Sequence, residues 1–187
     1  MQTAFIIHGA LGNPNENWFP WLKSELERLG FTVYVPAFPT SPETQTLENW
    51  LKVFEEYKNH LDKDTIVIGH SLGPAFLLTI LEQIEKPIRA AYFVAGYHPK
   101  SLPKTSEWYP QVKTFLEKPF DWQKIKQNCP AFHIYHSDND PYFPLSLAED
   151  LAKTLDTTTI VVKNADHFNE KAGYTKFERL LHDIQNG

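Results

Sequence analysis

The chain has 187 residues, enough for one domain with a full core, and its 42% hydrophobic and 14% aromatic content are those of a packed globular protein rather than a disordered one. A net charge of −5 and a pI near 5.9 give no overall positive field to gather nucleic acid or an anionic membrane, so neither is expected as a partner. With one cysteine, Cys129, an intramolecular disulfide and a Cys-rich zinc site are excluded, which fits a reducing compartment.

The N-terminal stretch has no basic region and its apolar run breaks at His8, unlike a signal peptide. No run approaches the roughly eighteen apolar residues of a membrane span, and the expected location is cytoplasmic. Short runs rich in β-branched and aromatic residues at 3–7, 31–35, 65–68, 90–94, 131–135 and 158–162 read as strands. Several are almost continuously apolar, the pattern of parallel strands covered on both faces. Between them, helical periodicity covers 18–29, stopped by Gly30, then 47–60, 72–85, 145–155 and 171–184. The alternation predicts an α/β fold, a doubly wound, mainly parallel six-stranded sheet with helices on both faces. Residues 97–129 break the rhythm with Pro99, Pro103, Pro110 and Pro119 and hold only short helical pieces at 111–116 and 122–127. An insertion of that length after a strand is expected to serve as a small cap or pocket wall within a single domain spanning 1–187.

The strongest chemical signal is Gly69-His70-Ser71-Leu72-Gly73, which matches G-x-S-x-G and sits between a strand and a helical run. In that context the motif places a serine on a tight strand-to-helix turn at a helix N-terminus, where backbone N–H groups favour developing negative charge. Ser71 is therefore the candidate nucleophile and Leu72 N–H the first oxyanion donor. Serine needs a base and an orienting acid. His167, in Asp166-His167-Phe168 after the last strand, is the candidate base. Asp140 and Asp138, in the loop after the fifth strand, compete for the acid.

These motifs, with His8-Gly9 after the first strand and Asn17-Trp18-Phe19-Pro20-Trp21-Leu22 opening the first helix, make the chain resemble the small serine hydrolases of the retinoblastoma-binding protein 9 and YdeN family, within the α/β-hydrolase superfamily. The resemblance spans nearly the whole chain. It implies that the aspartate directly before proline, Asp140, is the triad acid, and that the residue after His8-Gly9, Ala10, supplies the second oxyanion donor. It also raises a protein partner, although no L-x-C-x-E pattern surrounds Cys129. Pro74, where many relatives carry a small residue or cysteine, is tolerated in a helix's first turn.

Other residues have plainer readings. His133 and His136 with the nearby aspartates suggest a metal site, but residues three apart on a strand point to opposite faces, so no metal is expected. His70 reads as packing within the turn and Asp166 as a polar neighbour of His167. His8, Trp108 and Tyr109 are candidate pocket residues. Trp18, Phe19 and Trp21 read as core. Cys129 lacks a reactive setting. The expected activity is cleavage of small carboxylic esters through an acyl-enzyme, without a cofactor. The alternatives are a serine peptidase or amidase, which needs an anchor for an amine, and a non-catalytic scaffold.

Overall fold

The computed structural model describes residues 2–187. Its six strands are β1 (Thr3–Ile7), β2 (Thr32–Tyr34), β3 (Thr65–His70), β4 (Ala90–Val94), β5 (Phe132–Ser137) and β6 (Thr159–Val162), and the helices are α1 (Phe19–Arg28), α2 (Leu47–Phe54), α3 (Gly73–Gln83), α4 (Tyr109–Leu116), α5 (Trp122–Asn128), α6 (Leu145–Thr154) and α7 (Glu178–Asn186). The strands form one sheet in the order β2-β1-β3-β4-β5-β6, and every neighbouring pair is parallel.

Alternating side chains explain why the central strand sequences are mostly apolar rather than alternating with polar residues. Phe5, Ile7, Val67, Phe93 and Ile134 enter a core packed against α2 to α6, while Ala4, Ile6, Ile66, Ile68 and Val94 enter a second core packed against α1 and α7. Each face is covered, so neither set can be polar. Helix α3 is buried continuously from Gly73 to Leu81. It lies between the sheet and the insertion, which is why it lacks a polar stripe.

The insertion is fastened to the C-terminal end of α3. Glu82 accepts a hydrogen bond from the Asp121 N–H at 2.7 Å and pairs with Lys118. Asn128 donates to the carbonyls of Leu81 and Ile84 at 2.7 and 2.9 Å.

Two expected helices are shorter than their periodicity. The helix expected over 47–60 ends at Phe54 and is followed by a separate 3₁₀ turn, Lys58–His60. The helix expected over 171–184 begins only at Glu178. Before it, Asn169 caps a 3₁₀ turn, Glu170–Ala172, and Gly173 at φ 82° reverses the backbone, so local capping overrides the apolar spacing. Among the described residues no helix is long and apolar enough to cross a membrane.

The strand order sets the site. The chain winds from β1 outward to β2, then returns to the other side of β1 as β3, so the loops leaving the carboxyl ends of β1 and β3 diverge and open a crevice between them.

Candidate active site

Ser71 follows β3 at φ 58°, the left-handed region that costs a non-glycine residue about 1–3 kcal/mol. The turn is held by a hydrogen bond from Ser71 N–H to the Val94 carbonyl at 2.9 Å and by crowding around its glycines. A Cβ on Gly73 would lie 2.6 Å from the Ile7 carbonyl oxygen, and one on Gly69 would lie 2.7 Å from Pro74 N. Glycine is required because β1 and the first turn of α3 close to backbone contact. Pro74 sits in that first turn, where a missing N–H loses no intrahelical partner.

The loop after β1 presses against Ser71: a Cβ on Gly9 would lie 2.9 Å from Ser71 Cβ and 3.4 Å from Ser71 Oγ. Gly9, Ala10, Ser71, Leu72 and His167 line one cleft of about 370 Å³. That size suits a small organic molecule.

His167 lies 7% exposed and donates through Nδ1 to Asp140 Oδ2 at 2.7 Å. The other carboxylate oxygen, Oδ1, accepts from the N–H groups of Tyr142 and Phe143 at 2.8 and 3.1 Å. Burial pushes the Asp140 pKa up, but the bond to and charge of His167, with the two backbone donors, outweigh it and hold the carboxyl below its ordinary value. Asp140 is thus an anion with both oxygens occupied. Asp138 is turned elsewhere and accepts from Asn164 N–H at 2.8 Å.

The loops after β5 and β6 are joined by side chains that sequence reasoning passed over. Ser137 Oγ donates to Asn139 Oδ1 at 2.6 Å and accepts from Ala165 N–H at 3.0 Å. Asn139 Oδ1 also accepts from Asp166 N–H at 2.9 Å, and its amide nitrogen donates to the Asp166 carboxylate. Their signal was the Ser-Asp-Asn-Asp run itself, whose short polar side chains favour hydrogen bonds to neighbouring backbone.

His70 supports His167 from below. Its Nε2 donates to the His167 carbonyl at 2.8 Å, and the two rings are 5.0 Å apart. Burial, then the neighbouring His167 charge, lower the His70 pKa to about 3. A neutral His70 adds no positive charge beside His167. Tyr142 stands edge-on to His167 at 4.9 Å and Phe143 lies 5.7 Å away, so the imidazole is confined by rings.

His136 was read only as half of a discarded metal pair. It is fully buried, donates to the Phe143 carbonyl at 2.9 Å and thereby supports the loop that binds Asp140. His133 instead stacks on Tyr92 at 4.5 Å. Among the described residues no group of three or more His, Cys, Asp or Glu is arranged to hold a metal.

The three expected pocket residues divide. Trp108 lines the cleft, with Tyr97, Val112, Tyr142 and Phe143. His8 does not. It is fully buried, with Nδ1 donating to the Gly9 carbonyl and Nε2 accepting from Phe38 N–H, and it packs against Phe38 and Trp50. Burial lowers its pKa, consistent with a neutral ring that supports the β1 loop from behind. Tyr109 is also not on the cleft wall; its hydroxyl donates to Glu117 at the far end of α4. Tyr109 and Trp108 are adjacent at the start of a helix and so diverge by about 100°. Trp18 and Phe19 are fully buried, and the Trp18 indole donates to the Phe168 carbonyl at 3.1 Å. Cys129 is buried, with its thiol pKa pushed up to about 12 by burial.

The cleft also has a polar part to its lining. Glu16, Asn17, Asn169, Glu170 and Lys171 form it. Asn17 and Glu170 exchange two hydrogen bonds of 3.0 Å, joining the β1–α1 loop to the segment after His167. Burial, and next the nearby Glu170 charge, raise the Glu16 pKa against the opposing effect of Asn13.

Residues 4–186 match the family model described as serine hydrolase. The chain belongs to this serine hydrolase family. It is 31% identical over 185 residues to the putative hydrolase YdeN of Bacillus subtilis (strain 168), and 28% identical over 186 residues to the serine hydrolase RBBP9 of Rattus norvegicus; each alignment covers 98% of this chain and 94% of the relative. The crystal structure of the B. subtilis ydeN gene product superposes with a TM-score of 0.89 at 27% identity, covering 100% of this chain and 98% of that one. Est1E from Butyrivibrio proteoclasticus, solved with ferulic acid bound, shares the fold at a TM-score of 0.70 and 16% identity, with 99% of this chain and 90% of that one covered. Family membership is that of a hydrolase, and the fold is the α/β-hydrolase fold.

Proposed function

We propose that this protein is a serine esterase that cleaves small carboxylic esters through an acyl-enzyme on Ser71. The observation that carries the reading is a single cleft lined by Ser71 and His167, with Asp140 bound to the far nitrogen of the same imidazole. Asp140 fixes the tautomer in which His167 Nε2 is the free lone pair, and that nitrogen takes the Ser71 proton as Oγ attacks the ester carbonyl. The tetrahedral oxyanion accepts hydrogen bonds from Leu72 and Ala10 N–H groups. His167 then gives its proton to the leaving alkoxide, and water activated by the same nitrogen releases the acid. No step requires a metal or organic cofactor.

The walls suit the size and polarity of such a substrate. Tyr97, Trp108, Val112, Tyr142 and Phe143 form an apolar wall suited to a short or aromatic acyl group, with the insertion supplying Tyr97, Trp108 and Val112. Labelling by a fluorophosphonate probe, read by intact mass on wild type, Ser71→Ala and His167→Ala, tests the reading alongside turnover of p-nitrophenyl acetate and butyrate. Labelling lost in both variants is expected. A folded wild type that does not label would favour the scaffold reading.

One observation favours amide cleavage as a second reading. Glu16 and Glu170 line the same cleft as Ser71 and have no ion-pair partner among the described residues, so an amine-bearing substrate would find carboxyl groups to bind there. Faster turnover of an aminoacyl p-nitroanilide than of p-nitrophenyl butyrate would promote it.

A further inference from the structure

Gln45 precedes α2, well away in sequence from every motif discussed above, yet it is only 3% exposed. A buried primary amide has to place both its acceptor and its donor, and Gln45 sends them in opposite directions. Its Oε1 accepts from Leu11 N–H at 2.7 Å, and its Nε2 donates to the Gln111 carbonyl in α4 at 3.0 Å. One side chain therefore joins the loop after β1 to the insertion.

The loop needs such a hold. Leu11 has φ 56°, a left-handed conformation costly for a non-glycine residue, and its side chain is 53% exposed, so little packing fixes it. The turn from Gly9 to Gly12 is closed by a long backbone bond of 3.3 Å. Ala10 lies between two fixed points: Gly9, which abuts Ser71, and Leu11, which is bound by Gln45.

We infer that Gln45 is a positioning residue that orients the Ala10 N–H toward the oxyanion by anchoring Leu11. The inference rests on the serine-hydrolase reading of Ser71. It requires the Leu11 bond, whereas a tether for the insertion would require only the Gln111 bond, and two substitutions separate these. Gln45→Met keeps the side-chain length and removes both bonds. Gln45→Glu, in its ionised form, keeps an acceptor for Leu11 N–H and has no donor for the Gln111 carbonyl.

Steady-state kinetics with p-nitrophenyl butyrate should show kcat reduced about tenfold or more in Gln45→Met with KM within about twofold, since deleting an oxyanion donor outright costs about 10²–10³-fold and a misaligned donor costs less. Gln45→Glu should recover most of the lost kcat. Amide exchange at Leu11 should accelerate in Gln45→Met and remain slow in Gln45→Glu. Unchanged kcat in Gln45→Met, a rise in KM alone, or Gln45→Glu as slow as Gln45→Met would each overturn the inference. A folded wild type that fails to label with the fluorophosphonate would instead remove the hydrolase reading, and the positioning role of Gln45 with it; labelling of wild type with normal kinetics in both variants removes the Gln45 inference alone.

Discussion

The carboxyl end of β3 and the paired ends of β5 and β6 hold their functional side chains by different physics. At β3 the serine is fixed by lack of space: Gly73 abuts the Ile7 carbonyl, Gly69 abuts Pro74, and the turn has no room to relax. At β5 and β6 Asp140 and His167 are fixed by a mesh of hydrogen bonds through Ser137, Asn139, Asp140 and His70. The first region should be sensitive to added volume and tolerant of lost polarity. The second should be the reverse.

The largest effect is expected where the mesh meets chemistry. Asp140→Asn should lower kcat by about 10⁴-fold while leaving the fold intact, because an amide cannot hold the same imidazole tautomer. Turnover of p-nitrophenyl acetate, with circular dichroism to establish folding, measures it. At β3 the corresponding test is steric. Gly73→Ala should destabilise the protein by about 3 kcal/mol or more, since the new Cβ meets backbone that cannot move aside; urea unfolding reads the shift.

His70 gives a pH signature. Its folded pKa, near 3, lies below the ordinary 6.5, so the unfolded chain binds the extra proton between those values. Stability is fully present above about pH 6.5 and is lost as pH falls toward 3, by about 2 kcal/mol between pH 6.5 and 4.5 from this residue. Urea midpoints across that range should fall in wild type and fall less steeply in His70→Gln. An equal slope in the two proteins would remove His70 from the account.

A smaller loss separates the mesh from the turn again. Ser137→Ala leaves Ala165 N–H without its acceptor in a buried site and should cost about 1 kcal/mol, with a modest fall in kcat as the His167 loop loosens. Asp138→Ala should change kcat by less than about twofold, because its carboxylate binds exposed Asn164 N–H and not the base. A large loss there, with Asp140→Asn active, would reverse the assignment of the acid.

The elements that position chemistry were legible where the signal was local. The strands were visible because the central ones, β1, β3, β4 and β5, are covered on both faces and so carry mostly apolar side chains. The Ser71 turn was visible because close backbone approach demands glycine at fixed spacing. Helix ends were less legible: the 171–184 periodicity continued across Gly173, where capping and a left-handed residue interrupt it. Pocket residues were least legible of all. His8 and Tyr109 have the chemistry of pocket residues, and only their direction puts them elsewhere.

The sequence by itself determined the strand and helix alternation, the G-x-S-x-G motif around Ser71 and the two polar loops that carry Asp140 and His167, since each follows from covalent geometry and neighbours a few residues away. It left Asp138 and Asp140 as rivals on their local setting. Only the tertiary structure decided that Asp140 faces His167, that Gln45 meets Leu11 and Gln111, and that Glu16 and Glu170 share a wall. These are encounters between residues distant along the chain. They depend on the strand order and on the crevice it opens, and side-chain direction across that gap is set by packing rather than by any local pattern.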